Sequence, residues 1–168
     1  MITIPITYIR TDAVKIVRWV GNNQQRFGEL MEMFFAADER TALRCIWIIS
    51  MCTEENPAVI RPWLPKLIKL AGKKDVHESV KRNIIRTLQF VEIPRSLQGT
   101  VANICFDALQ DLKAPVSIKA FSMSVLANIA TFEPDLKQEI SLVVEQMLPY
   151  GSAGVQSRAK KVLKQLAK

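Results

Sequence analysis

The sequence predicts an all-α fold built from successive helix pairs, and three observations predict it. Apolar residues recur at three- and four-residue steps in nearly every segment. No segment shows sustained alternation with β-branched enrichment, so strands are not expected. Breakers fall at regular places: Gly21-Asn22-Asn23, Ala37-Asp38, Asn56-Pro57, Gly72 to Asp75, Ile93-Pro94, Ala114-Pro115, Glu133-Pro134 and Gly151 to Gly154. About nine helices joined by short turns follow from that punctuation.

Taken in order, Met1 to Tyr8 carries Ile2, Ile4, Ile6 and Tyr8 around a Pro5 that argues against a regular helix. It is expected to fold across one end of the stack. A first helix follows near residues 11–21, and four helix pairs are expected at 22–56, 57–93, 94–132 and 133–168, all within one domain, 1–168. A residue before proline is pushed out of the α region, so Asn56, Ile93 and Glu133 are expected helix ends. The last helix carries Arg158, Lys160, Lys161, Lys164 and Lys168 without an acid, as a solvated end of a stack would.

A repeat of about 40 residues, two helices long, is the signature of an α-solenoid. Sliding the chain along itself superimposes ALRCIWIISM from Ala42, SVKRNIIRTL from Ser79, SIKAFSMSVL from Ser117 and QSRAKKVLKQL from Gln156, each with a basic residue third. The segment AVKIVRWV from Ala13 fits the same frame. Lys15, Arg44, Lys81, Lys119 and Arg158 thus form a ladder, and four positions beyond them stand Trp19, Ile48, Ile85, Met123 and Val162, expected as a buried stripe.

On these residues the chain resembles the HEAT-repeat (armadillo-like) family. Leu64 to Gln89 has the Leu-Pro-x-Leu outer helix, a turn with Asp75, then Val80 and Lys81 five and six residues on; Asp38, Leu43 and Arg44 keep the same spacing. The third repeat departs from it with Lys113 where Asp would stand, and the fourth has Ser152. The resemblance spans about 145 of the 168 residues and implies a right-handed α-α superhelix acting as a non-catalytic interaction or scaffold module.

The chain holds 23 basic and 16 acidic residues, net +7. Residues 61–86 contain eight basic and two acidic residues, and 158–168 five basic and none acidic, so the excess sits in two patches. Such surfaces attract acidic proteins, phosphates and anionic membranes alike. Arg44, Lys81, Arg82, Arg86, Lys119, Arg158 and Lys161 are the candidate partner-binding residues. Two readings of the ladder stand side by side. The resemblance implies pairing with a turn Asp, a structural role; the other reading has Lys119, Arg158, Arg82 and Arg86 facing a groove that takes an acidic protein, with nucleic acid as the alternative ligand.

The sequence offers little to an enzyme. It has no phosphate-binding Gly-x-x-x-x-Gly-Lys-[Ser/Thr] loop, and its six glycines are scattered. Asp107 with Asp111, and Glu54 with Glu55, are ordinary exposed pairs. The single histidine, His77, removes most metal sites and nearly every His-dependent triad, its place in a turn suits a surface residue, and no metal or cofactor is expected. Architecture and net charge are similar to those of HEAT-like alkylpurine DNA glycosylases, yet no Asp flanked by Trp and Arg is placed on an inner helix. Trp combined with Arg can cradle a nucleobase; Trp19 is expected in the core, with Trp47 and Trp63 open to either role. Cys45, Cys52 and Cys105 are expected as small core residues; the first two lie about 10 Å apart along one helix, too far to bridge. A reducing, cytoplasmic compartment is expected, with no membrane-spanning segment.

Overall fold

The computed structural model describes residues 10–168, and the Met1 to Tyr8 segment lies outside them. The described residues are all-helical: α1 (Arg10–Val20), α2 (Gln24–Ala36), α3 (Glu39–Glu55), a 3-10 helix (Pro57–Trp63), α4 (Leu64–Ala71), α5 (Glu78–Leu88), α6 (Arg95–Gln110), α7 (Val116–Ile129), α8 (Leu136–Met147) and α9 (Ala153–Leu166). Contacts divide the chain into two compact units, one reaching to Val91 and one from Glu92 to Lys168.

In the first unit α3 is the hub, packed against α1, α2, the 3-10 helix and α5. Its apolar face is accordingly broad: Cys45, Ile46, Ile48, Ile49 and Cys52 are all buried. Pairing of α2 with α3 and of α4 with α5, together with the α1–α3 and α3–α5 contacts, makes every second helix stack on its equivalent. That stacking buries an apolar face which one pair alone would leave wet. The second unit repeats the arrangement. There α7 lies among α6, α8 and α9 and is apolar nearly all round, burying Ile118, Met123, Val125, Leu126, Ala127 and Ile129.

Local chemistry sets the helix starts. Asn23 accepts a hydrogen bond from the Arg26 N–H at 3.0 Å, Asp38 from Thr41 at 2.8 Å and Ser152 from Val155 at 3.5 Å, each satisfying a first-turn donor. In the third pair, where Lys113 replaces the turn acid, Asp111 takes over: its carboxylate accepts from the Lys113 N–H at 2.9 Å, and Pro115 precedes the helix with no side-chain cap. Gly21 ends α1 at φ +49°, the left-handed conformation that glycine enters without a Cβ penalty.

Two expected helix ends move. Asn56 is the C-cap of α3, but α5 stops at Leu88 and α7 at Ile129, each four or more residues before the proline. Turn hydrogen bonds end those helices early: Phe90 N–H donates to Thr87, and Phe132 N–H donates to Ile129. Ile93 and Glu133 instead close the connections that follow. The outer helix of the second pair also begins as a 3-10 segment, with Pro57 at its first position and Pro62 inside it.

Candidate interaction surface

Arg40, Leu43, Arg44 and Trp47 stand at three- and four-residue steps and so share one face of α3; Ser79, Arg82 and Asn83 do the same on α5. The α3–α5 packing turns these faces toward a common hollow of about 350 Å³. Its walls hold three guanidinium groups, one indole and no carboxylate. The Asn83 amide donates to the Ser79 carbonyl at 2.8 Å, which fixes the α5 side. Asp38 lies beside the hollow. Its carboxyl is held below the usual carboxylate range first by the Thr41 backbone N–H and hydroxyl, then by the nearby charges of Arg40 and Arg44. Arg40 and Arg44 thus have an acid in their vicinity, whereas Arg82 makes no hydrogen bond or ion pair among the described residues.

Of the seven expected partner-binding residues, this hollow gathers Arg44 and Arg82. Lys81 is half-buried on α5 but is not one of its walls, and it forms no ion pair with Asp75. Arg86 spends its guanidinium inside the unit, donating to Glu54 at 2.6 Å and to the Ser50 hydroxyl at 3.2 Å, and so clamps α5 to α3. Lys15 pairs with Asp12 on its own helix at 3.2 Å. In the second unit Arg158 donates to the Ser124 hydroxyl at 2.9 Å, tying α9 to α7. Lys161 is exposed on α9, and Lys119 borders a separate hollow. Arg40 was not singled out from sequence; its signal was its place three residues before Leu43 and seven before Trp47.

Trp19 corrects an expectation. It is 38% exposed, with the Arg26 guanidinium over its ring at 4.9 Å and hydrogen-bonded to its carbonyl at 2.7 Å. The reason is neighbourhood: among the described residues α1 packs against α2 and α3 and buries only Ala13, Val17 and Val20, and no described helix covers the face bearing Trp19. The other four residues of the stripe, Ile48, Ile85, Met123 and Val162, are buried. Trp63 stacks on Phe35 at 6.2 Å beneath the Lys66 ammonium, away from the hollow. All three cysteines are buried and unbridged. Burial pushes the Cys45 thiol up to about 11 and the Cys52 thiol up to about 12, the latter also through Glu55. His77 caps α5, its Nδ1 accepting from the Ser79 N–H at 3.1 Å while its Nε2 lies 3.9 Å from Glu39.

No helix among the described residues is long and apolar enough to cross a membrane, and no group of metal-ligating side chains occurs among them. No curated protein and no solved structure matches the chain. A family model described as HEAT repeat domain does match, over residues 6–166. HEAT repeats generally mediate protein–protein interaction or scaffolding, and the family is typically non-catalytic. With nearly its whole length matched and its helices stacking alternately in both units, the chain belongs to the HEAT repeat domain family.

Proposed function

We propose that the protein is a non-catalytic interaction module whose α3–α5 hollow receives acidic side chains of a partner protein. The observation that carries this reading is Arg82, a half-buried residue whose guanidinium makes no hydrogen bond or ion pair among the described residues, set with Arg40 and Arg44 around a hollow whose described walls contain no acid. Guanidinium forks suit carboxylates because two parallel N–H groups meet two oxygens, and such bonds are stronger than neutral ones. A rigid pair of helices holds these forks in place, so little ordering cost accompanies binding. The wider basic surface, Lys81, Lys119 and Lys161, would raise encounter rates, while Arg86 and Arg158 serve mainly to hold helices together. A reducing, cytoplasmic location is part of the proposal, supported by three buried, unbridged thiols.

Isothermal titration of a Glu/Asp-rich peptide into the protein tests the reading. Arg82→Glu is expected to weaken binding by about 2 kcal/mol, roughly thirtyfold, through lost charge-assisted hydrogen bonds and new repulsion. Lys161→Glu, which alters net charge equally, serves as the control. Equal affinities for the two variants would reject the hollow as the site.

Trp47 beside the arginines supports a second reading, in which a nucleobase stacks on the indole and the phosphates meet the guanidiniums. That reading demands a salt slope of roughly −0.7 per phosphate contacted on a single-stranded oligonucleotide. Undetectable oligonucleotide binding at low salt eliminates it.

A further inference from the structure

The second unit carries a hollow of different chemistry. Where the turn joining α6 to α7 lies beside the turn joining α8 to α9, Leu109, Leu112, Val116, Met147, Tyr150 and Val155 line a cleft of about 340 Å³. Leu112 is 93% exposed, Tyr150 92% and Val116 48%. One large apolar side chain in solvent is ordinary; three around a single cleft mark a contact surface. The only charged wall is Lys119, which makes no hydrogen bond or ion pair among the described residues. Ser152 and Val155, also walls, belong to the start of α9, whose positive end adds to the field of Lys119. An apolar lining with a lone uncompensated cation at its edge is complementary to an apolar group that has an anion close by.

We propose that this cleft docks a peptide segment of a partner protein in which a large apolar side chain has an Asp or Glu within one helical turn. The apolar side chain fills the space between Leu109 and Val155, Leu112 and Tyr150 close over it, and Lys119 meets the carboxylate. A basic residue at that place in the peptide would face Lys119 and be rejected, which gives the cleft its selectivity. The site shares no residue with the Arg82 hollow, so either can fail without the other.

The test is selection of a random-peptide phage library on the full chain, followed by fluorescence anisotropy with the enriched peptides. Enriched peptides are expected to pair Leu, Ile, Phe or Trp with an acid within four positions. Leu112→Ser and Tyr150→Ser should each weaken binding roughly tenfold, as exposed anchors do; both side chains stand in solvent, and circular dichroism confirms that the variants fold. Lys119→Glu should weaken binding and should regain it when the peptide acid is replaced by Lys, whereas Arg82→Glu should leave it unchanged. Four results overturn the proposal: no enrichment, enrichment without an acidic bias, affinity indifferent to Lys119→Glu, or affinity lost in Arg82→Glu. Sedimentation showing self-association that Tyr150→Ser abolishes also overturns it, because a second copy then covers the cleft.

Discussion

Cys45 and Cys52 lie seven residues apart on α3, and the packing around both thiols disfavours the thiolate, raising them to about 11 and about 12 from the ordinary thiol value of 9.0. A thiol harder to ionise when folded contributes stability that is fully present below the unfolded value and is lost as pH rises through the folded one. These two groups are therefore expected to destabilise the fold as pH rises from 9.0 towards about 12. Melting temperatures of the wild type and of a Cys45→Ala/Cys52→Ala variant, measured from neutral pH upward, should show a shallower alkaline fall in the variant, whatever the two baselines. Equal slopes would mean that the thiols titrate as though exposed. At pH 8 a thiol reagent should label none of the three cysteines in the native protein and all three in denaturant.

Two glycines separate what a helix tolerates from what a turn requires. At Gly151 an added Cβ would come within 2.8 Å of the Val155 side chain and 2.9 Å of the Met147 carbonyl oxygen, a backbone atom that has little room to move. Gly151→Ala is expected to cost about 1–3 kcal/mol, as overpacking does. Gly99, by contrast, sits exposed within α6 with nothing within 4 Å of its Cβ position. Gly99→Ala should stabilise by about 0.5–1 kcal/mol because alanine is the better helix former. Thermal melts that move in opposite directions bear out both accounts; a drop for Gly99→Ala would mean that the face is not free. This contrast also marks how far sequence reading reaches. Period and breakers located the helices because core-facing residues must recur every three or four positions, and the stripe residues Ile48, Ile85, Met123 and Val162 came out buried. Trp19 shares their register but not their neighbours, and one helix's periodicity carries no record of what packs beside it. For the same reason Arg82 and Arg86, one turn apart on α5, looked equivalent in sequence. Packing against α3 gives Arg86 the Glu54 carboxylate and leaves Arg82 at the hollow.

For the molecule as a whole, the net charge of +7 and the local hollow make separable contributions to binding. The summed field acts during approach and falls off over a Debye length of about 8 Å at physiological salt, so it governs the association rate. Contacts made only in the complex govern dissociation. Arg82→Glu and Lys161→Glu each lower the net charge by two, from +7 to +5. With an acidic peptide at low salt, both variants should associate more slowly by similar factors, and added salt should erase most of that difference. Dissociation should separate them: faster by about tenfold or more in Arg82→Glu, where a guanidinium in the hollow is lost, and unchanged in Lys161→Glu, whose side chain stands in solvent. Stopped-flow association and displacement experiments read the two rates independently. Were dissociation to change equally in both variants, the α3–α5 hollow would be no more than one part of a diffuse basic surface, and the assignment to Arg40, Arg44 and Arg82 would fail while the HEAT architecture stood.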